Sequence, residues 1–458
     1  MTKLFLHNTL SRKKEPFKPS KGKQVNLYTC GPTVYDYTHI GNLRSYIFAD
    51  TLRRVLEYNG YKVKWVMNIT DVDDKTIKRT IDEYGPKATT KELKKYTDKY
   101  LKSFREDLEK LNIPNKNIRF ISVSEKMDEV KKFIKKLMSL GYAYEAKDGI
   151  YFDIKKYQDD FKDYGSLVGK DFLKGKKIGA RVKVDDYEKK DLSDFALWKK
   201  RDKSDGSIFW KDEKLGEGRP GWHIECSAIN RFAFKNSPTD IHTGGIDLVF
   251  PHHTNEIAQS QPVYKPFVRY WSHCEHLTVN SKKMSKREGN FYTLKDLEKE
   301  IPNAGLIFRY LALSTGYRTK MNFTVQALKS AESGLKKLSE AYLKKTSVLP
   351  KSKQDIYEKK FLTELNNDLN TSGALSVLNK AISAKKLANS MIKALGISFI
   401  KEKPAKTPGK IADLAKKREQ LRNNKQFIKA DALRKEIERL GYMVEDTKHG
   451  SKITPTRH

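Results

Sequence analysis

The chain has 458 residues, 38% of them hydrophobic and 32% charged, which predicts a folded protein of two to four domains. Lys and Arg number 91 against 57 Asp and Glu, a formal net charge of +34. This excess favours a large polyanion as partner, nucleic acid before an anionic membrane, although a lysine-rich proteome alone would also produce it.

The sequence shows neither an apolar run of membrane-spanning length nor a signal-peptide core. Its three cysteines are too few for a disulfide framework and fit a reducing compartment. We therefore expect a cytoplasmic protein that does not bind membranes.

The first informative stretch, residues 30–42, reads Cys-Gly-Pro-Thr-Val-Tyr-Asp-Tyr-Thr-His-Ile-Gly-Asn. It follows a strand-like run at 25–29 and leads into a helix that is predicted to end at Asn59-Gly60. A strand, a glycine-bearing turn and a helix N-terminus can together bind phosphate, because unpaired N–H groups and the helix dipole face the anion. Taken alone the signal is weak, since most such turns bind nothing.

Residues 61–70 predict the next strand and complete a βαβ unit. Asp73 and Asp74 follow its carboxyl end, where open α/β sheets bind ligands, although capping of the next helix is the favoured role for both. Residues 116–200 break the βαβ pattern and predict an insertion between two halves of a sheet. The pattern resumes beyond it near residues 221–226, and another strand is predicted at 240–242.

Three later stretches are informative: two contain candidate functional residues and one is a candidate linker. A helix start is predicted at 251–258, so that His252 and Glu256 share one helical face. Residues 279–290 are polar and end in Gly-Asn, which predicts a mobile loop whose lysines can close over a polyphosphate, although a lysine-rich surface loop is the simpler interpretation in so basic a chain. Residues 401–410 carry two prolines and predict a linker.

Two short strings resemble the signatures of class I aminoacyl-tRNA synthetases: His-Ile-Gly-Asn at 39–42 and Lys-Met-Ser-Lys-Arg at 283–287. In that class the two loops hold ATP from opposite halves of a Rossmann-like sheet. With Cys30, the string Gly-Trp-His-Ile-Glu-Cys at 221–226 and the string Pro-His-His-Thr-Asn-Glu at 251–256, the sequence resembles the cysteinyl-tRNA synthetases almost from end to end.

The resemblance implies an α/β fold: a Rossmann-like parallel-sheet catalytic domain with an insertion, then an α-helical bundle and a small anticodon-binding domain. We place the catalytic halves at 1–115 and 201–300 and the insertion at 116–200. The helical stem-contact domain is expected at 301–400, and the linker with the anticodon-binding domain at 401–458.

The resemblance also implies one zinc ion per chain, held by Cys30, Cys226, His252 and Glu256. Each ligand alone has a structural explanation, but thiolate, imidazole and carboxylate together suit zinc. Zinc would distinguish cysteine from serine by binding the substrate sulfur, because a thiol loses its proton far more readily than an alcohol. Neighbouring residues are interpreted as bystanders: Cys274, His253, His273 and His276.

The remaining site residues are carried over from the same resemblance. The amino-acid pocket is expected to contain Thr70, Trp222 and His242, with core packing an equal alternative for Trp222. The predicted ATP-binding residues are His39, Gly41, Asn42, Gly244, Asp247, Lys283 and Lys286, of which His39, Asn42, Lys283 and Lys286 are the predicted catalytic residues. Arg287 and Ile453 depart from the family pattern, where Ser and Trp are usual.

The implied activity is the ATP-dependent ligation of L-cysteine to cysteine tRNA through cysteinyl-adenylate, with Mg²⁺ bound to ATP. The enzyme is expected to be a monomer. Two alternatives share parts of the pattern. An enzyme that joins cysteine to an amino-sugar would need the adenylation site but not the helical and basic regions after residue 310. A silent RNA-binding paralogue would not need the ligands and lysines that this chain retains.

Overall fold

The computed structural model describes residues 3–169, 194–235, 237–285, 287–343, 351–384, 388–399, 408–447 and 450–455. Lys286 and most of the predicted linker, residues 401–407, lie outside them. The chain divides into two compact units, Met1–Phe399 and Ile400–His458. None of the helices in the described ranges is both long and apolar enough to cross a membrane.

The first unit combines strands and helices throughout its length. In chain order its strands are β1 (Phe5–Asn8), β2 (Lys13–Pro16), β3 (Gln24–Thr29), β4 (Lys62–Ile69), β5 (Arg119–Ser122), β6 (Ala143–Glu145), β7 (Gly149–Phe152), β8 (Phe195–Lys200), β9 (Gly218–Pro220), β10 (Thr239–Gly245), β11 (Val268–Cys274), β12 (Leu277–Val279), β13 (Lys282–Lys283) and β14 (Met321–Phe323). Its helices are α1 (Ile40–Tyr58), α2 (Asp74–Tyr84), α3 (Thr90–Lys110), α4 (Met127–Ser139), α5 (Ile154–Phe161), α6 (Trp222–Phe234), α7 (Thr254–Ser260), α8 (Leu294–Glu300), α9 (Ala304–Leu313), α10 (Val325–Leu343), α11 (Lys351–Asn366), α12 (Thr371–Ser383) and α13 (Asn389–Leu395).

A five-stranded parallel sheet forms the centre of this unit, in the order β11-β10-β3-β4-β5. Its inner strands are almost wholly buried, because helices cover both faces of a parallel sheet. The chain runs outward from β3 to β4 on one side and from β10 to β11 on the other. The strand order therefore reverses between β3 and β10, where sheets of this kind open a crevice at their carboxyl ends. The predicted α/β fold is confirmed.

Helix α1 connects β3 to β4 as the sequence predicted. Its N-cap is His39, and it ends at Asn59, after which Gly60 takes a φ of +83°. The next strand leads into α2, where Asp73 forms a capping box with Thr76, in agreement with the capping role favoured from the sequence.

The insertion contains a four-stranded antiparallel sheet in the order β6-β7-β8-β9. Its last strand reaches Pro220, beyond the predicted limit at residue 200. Conversely, β5 pairs with β4 in the parallel sheet, although its residues lie within the predicted insertion. Both strands are short, and β9 is a Gly-Arg-Pro triplet, so neither carries a strand-like pattern. The domain boundaries themselves stay a prediction.

The segment predicted as a mobile loop, residues 279–290, is in part a hairpin. Lys282 and Lys283 form β13, which pairs with β12, and β12 also pairs with β14. The sequence prediction was wrong on this point because two adjacent lysines give no strand signal. Apart from β14, the described residues from 301 to 399 are helices and their connections, as expected.

The second unit contains two helices, Gly409–Asn423 and Phe427–Arg439, followed by a hairpin of two strands, Tyr442–Thr447 and Gly450–Pro455. A small core of Ile411, Ala415, Ile437 and Val444 holds these elements together. Ile453, where the family usually has Trp, pairs with Val444 in the hairpin and packs against this core.

A buried ionic cluster fixes α1 within the first unit. The Asp50 carboxylate, with its side chain fully buried, lies 2.7 Å from guanidinium nitrogens of Arg53, Arg54 and Arg309. Arg309 also donates to the backbone oxygens of Leu111 and Leu395, at the ends of α3 and α13. One carboxylate thus holds together helices that are far apart in the sequence.

We expect Asp50→Asn to lower the free energy of unfolding by about 3–5 kcal/mol, because it leaves buried arginines without their counter-charge. Burial alone would raise the pKa of Asp50, but Arg309, Arg54 and Arg53 outweigh it and hold the pKa below the usual range. The stabilisation is therefore present above the unfolded-state pKa of about 3.9, and the difference from Asp50→Asn should shrink as the pH falls below that value.

Urea unfolding at several pH values measures both effects. Glu57→Gln is the matched control, because it removes a half-exposed carboxylate from Arg53 and should cost about 1 kcal/mol or less. Equal losses in the two variants would contradict the role given to Asp50.

Candidate active site at the carboxyl ends of the parallel strands

The candidate site lies where the strand order reverses. Cys30 directly follows β3, and its backbone N–H donates to the Thr243 carbonyl oxygen of β10 at 3.2 Å. Cys226 belongs to α6, which follows the insertion, and Glu256 belongs to α7. Three segments that are distant in the sequence therefore meet at one end of the sheet.

The four predicted metal ligands converge there. Cys30, Cys226, His252 and Glu256 each offer a ligand atom within 4.8 Å of the others, and all four side chains are buried. The two Sγ atoms are 3.7 Å apart, and His252 Nε2 is 3.4 Å from Cys226 Sγ. Glu256 Oε1 lies 3.2 Å from His252 Nε2 and 3.8 Å from Cys30 Sγ.

These spacings fit a tetrahedral zinc site. Bonds of about 2.3 Å to sulfur and 2.0–2.1 Å to nitrogen or oxygen place two sulfurs about 3.8 Å apart. The same bonds place sulfur and nitrogen about 3.5 Å apart, and nitrogen and oxygen about 3.3 Å apart. The Cys30–Cys226, Cys226–His252 and His252–Glu256 distances all lie close to these values, so the donor set matches zinc in chemistry and in size.

Burial determines the protonation of these ligands when no metal is bound. Burial raises the pKa of both thiols, Cys30 well above its usual range, because a thiolate is poorly stabilised away from water. Burial likewise lowers the pKa of His252 well below its usual range. A bound divalent cation reverses the penalty on the thiolates, since it is the largest local charge and binds the deprotonated sulfur.

A second group of donors overlaps the first. Cys30, His242, His253 and Glu256 also lie within 4.8 Å of one another. His253, which the sequence interpretation set aside as a bystander, has its Nε2 3.3 Å from Cys30 Sγ and its Nδ1 2.7 Å from His273 Nε2. The first group contains both thiols and is therefore the better match to zinc.

The predicted amino-acid pocket lies beside this cluster. Trp222 is 39% exposed, with its ring centroid 4.3 Å from that of His252, so the core-packing alternative for it is wrong. His242 is fully buried, and its Nε2 lies 3.1 Å from Glu256 Oε2. Thr70 is buried at the end of β4, and a backbone hydrogen bond of 3.1 Å from Val34 N–H to its carbonyl oxygen joins it to the loop after β3.

On the opposite side of the crevice, the start of α1 meets the segment that follows β13. His39 Nδ1 accepts the Asn42 backbone N–H at 3.2 Å, which places the ring proton of a neutral imidazole on Nε2. Burial lowers the pKa of His39 to about 4 although Asp247 opposes this, so the ring is neutral at pH 7. The Ile40 N–H donates to the Tyr292 carbonyl oxygen at 2.9 Å.

Gly41 is required for this close approach. A Cβ there would lie 2.9 Å from His39 Nδ1 and 3.2 Å from Met284 Cε. A side chain at Gly244 would similarly meet the His253 ring at 2.8 Å. Gly41, in the first turn of α1, and Gly244, near the end of β10, therefore allow these close contacts because they have no side chain. Both are predicted ATP-binding residues.

The lysine signature begins on the hairpin that includes β13. Lys283 is exposed on β13, and the Arg287 backbone N–H donates to Ser285 Oγ at 3.2 Å. Asn290 closes the segment, because its side chain accepts from Ser285 N–H at 2.8 Å and donates to the Lys283 carbonyl oxygen at 3.1 Å. The position of Lys286 between them lies outside the described residues.

Comparison with known proteins identifies the family. Residues 16–333 match the model of the class I tRNA synthetase (C) catalytic domain. A cysteine–tRNA ligase of Chlamydia felis is 40% identical over an alignment of 483 residues that covers 98% of this chain and 97% of that protein. A cysteine–tRNA ligase of Leptospira interrogans is 38% identical and covers 98% and 99%. The chain belongs to the cysteinyl-tRNA synthetase family.

Solved structures of other class I synthetases share the fold of this cysteinyl-tRNA synthetase family member. A Mycobacterium tuberculosis methionyl-tRNA synthetase in complex with methionyl-adenylate matches with a TM-score of 0.59 over 87% of this chain and 84% of that chain. A leucyl-tRNA synthetase of Agrobacterium radiobacter matches with a TM-score of 0.57 over 83% of both chains. At 13% and 12% identity these likenesses describe the fold alone.

Three residues near the cluster were missed from the sequence. His223 Nδ1 lies 2.9 Å from His252 Nδ1, as expected of a group that orients a metal-binding imidazole. Glu225, next to Cys226 in the chain, and Tyr28, whose ring centroid lies 4.9 Å from that of His242, are fully buried. Burial, with Asp73 nearby, raises the pKa of Glu225 well above its usual range. His223 and Glu225 belong to the same family string as Cys226, which was the available signal.

Proposed function

We propose that the chain joins L-cysteine to cysteine tRNA through cysteinyl-adenylate, with one zinc ion as cofactor and Mg²⁺ accompanying ATP. The observation that carries the proposal is the convergence of Cys30, Cys226, His252 and Glu256 at zinc-ligand spacings. The cysteine–tRNA ligases of Chlamydia felis and Leptospira interrogans, similar over nearly the whole chain, support the same substrates.

Zinc would be held by the two thiols, the imidazole and the carboxylate of this cluster. When bound it supplies a Lewis acid that favours a substrate thiolate over the alcohol of serine, a discrimination that size alone limits to about 1–3 kcal/mol. The chain's own residues orient and shield the site. Trp222 covers the outer side of His252, and His223 holds the second nitrogen of that imidazole.

ATP would bind across the crevice at the start of α1. The neutral His39 would offer its Nε2–H to a phosphate oxygen. The Ile40 and Asn42 N–H groups already donate to Tyr292 and His39, so α1 would attract the same anion through its helix dipole. Lys283 and Lys286 would neutralise the pyrophosphate as it leaves. Gly244, near the end of β10, and Asp247, just beyond it, would contact the nucleoside.

The reaction would proceed in two transfers. A carboxylate oxygen of cysteine attacks the α-phosphorus of ATP, the bond to the bridging oxygen breaks, and pyrophosphate leaves with the electron pair. A ribose hydroxyl at the tRNA 3′ end, the 2′-OH by class resemblance, then attacks the acyl carbon and AMP leaves. Positioning and charge neutralisation supply most of the catalysis in such transfers. The cytoplasmic location and the monomeric state stay predictions.

Cysteine-dependent ATP–pyrophosphate exchange and charging of purified tRNA test the proposal. Both should occur with the intact protein, and both should be lost on chelation and recovered with added zinc. Exchange without charging of tRNA would instead favour the amino-sugar ligase, and the absence of exchange would favour a silent paralogue.

Metal analysis of variants distinguishes the two overlapping donor groups. The wild type should contain one zinc per chain. Cys226→Ala removes a thiol from the favoured group and should abolish zinc retention, whereas the matched variant His253→Gln should retain the metal. Retention by Cys226→Ala together with loss in His253→Gln would assign the metal to the second group.

The proposed phosphate contact of His39 can be tested separately from its role as the helix cap. His39→Asn keeps an N-cap side chain but removes the Nε2–H, so it should slow exchange about 100-fold while leaving the unfolding free energy nearly unchanged. His39→Ala should lose the same activity and about 1 kcal/mol of stability as well. Steady-state exchange and urea unfolding measure the two effects, and a fully active His39→Asn would refute the phosphate contact.

Lys286→Ala should slow adenylate formation much more than it weakens cysteine binding, because its ammonium group is assigned to the leaving pyrophosphate. Rapid-quench kinetics and calorimetric titration with cysteine measure the two quantities. Lys282→Ala, on β13, is the control and should change neither. An equal loss of binding and of rate in Lys286→Ala would contradict the assignment.

A further inference from the structure

A group of tyrosines borders the loop that joins the two sides of the crevice. The loop at residues 31–39 begins after β3 and ends at the helix cap His39. It is attached to the amino-acid side by the hydrogen bond from Val34 N–H to the Thr70 carbonyl oxygen. Tyr37, two residues before His39, is 41% exposed.

The Tyr37 ring packs on α3. Its centroid lies 5.2 Å from that of Tyr100, edge to face at 74°, and the Tyr100 centroid lies 5.1 Å from that of Tyr96. Tyr96 is only 3% exposed, and its hydroxyl donates to the Tyr35 carbonyl oxygen at 2.8 Å. A buried ring thus fixes the loop on the helix and holds the two outer rings in place.

Two lysine side chains lie close to tyrosine rings, one on the loop and one on α3. Lys75 Nζ lies 5.2 Å from the centroid of Tyr35, and Lys99 Nζ lies 5.2 Å from that of Tyr100. Lys99 also faces Glu83 at 3.8 Å, an exposed contact that solvent screens. Aromatic rings that stack on unpaired bases, next to cations that contact phosphates, are the combination that binds single-stranded nucleic acid.

We propose that Tyr37, Tyr100, Lys75 and Lys99, here called the tyrosine–lysine face, bind the single-stranded 3′ end of the tRNA. The inference rests on the proposed function, since it requires a tRNA substrate. The reacting ribose must reach the boundary between the amino-acid side and the ATP side. The loop runs from Cys30 on the amino-acid side to His39 on the ATP side and carries Tyr37 two residues before His39, so the nucleotides that precede the reacting ribose would meet its exposed ring.

Equilibrium binding of tRNA tests the tyrosine–lysine face. Tyr37→Ala should weaken the binding of intact tRNA about tenfold, within the range for the removal of one base–aromatic stack. Tyr37→Phe keeps the ring and should bind nearly as the wild type does. Leu140→Ala, which truncates an exposed apolar side chain at the end of α4, is the matched control and should have no effect.

A truncated tRNA without its single-stranded 3′ end supplies the decisive comparison. It should bind the wild type and Tyr37→Ala equally, because this ligand has no unpaired base to stack on the Tyr37 ring. Equal affinities of the two proteins for intact tRNA would overturn the inference. Weaker binding of the truncated tRNA by Tyr37→Ala would also overturn it, because the side chain would then act on a duplex region or through the fold.

The proposed function is judged separately on the wild-type protein. If the wild type exchanges pyrophosphate and charges tRNA while Tyr37→Ala binds intact tRNA normally, only the tyrosine–lysine face is rejected. If the wild type does neither, the proposed function fails and this inference fails with it.

Discussion

The structure depends on the meeting of two thiols, an imidazole and a carboxylate at the point where the strand order reverses. Cys30, Cys226, His252 and Glu256 are buried, and burying such groups without compensation is costly. Their positions fix three elements at once: the end of β3, the first turns of α6, and α7. A parallel sheet with reversed strand order provides the crevice in which these elements can approach one another.

Helix α1 connects this centre to the rest of the first unit. At its start, His39 uses one ring nitrogen as the helix cap and keeps the proton on the other, facing the crevice. Further along the same helix, Asp50 holds three arginines, of which Arg54 and Arg309 reach the ends of α3 and α13. The start of α1, where phosphate is proposed to bind, therefore belongs to a helix that a buried ionic cluster holds in place.

Sequence patterns predicted the elements whose structure is determined by their own residues. Periodicity and capping predicted β3, α1 and β4, and the family strings predicted the ligands that converge. The weak strands β5 and β9 were misplaced because their pairing partners, not their own residues, make them strands. The contact of His253 with Cys30 joins the residue before α7 to the residue after β3, and no spacing within the sequence encodes it.

The segment at residues 279–290 is more ordered than its sequence predicted, and this bears on the proposed mechanism. Polar composition predicted a loop free to move over ATP, but Lys283 is paired in β13, and β12 ties that strand to β14. Asn290 then binds both Lys283 and Ser285 and closes the base of the segment. A charge held on a paired strand needs little reorganisation when pyrophosphate forms. In the proposed mechanism Lys283 is thus suited to fixed electrostatic stabilisation.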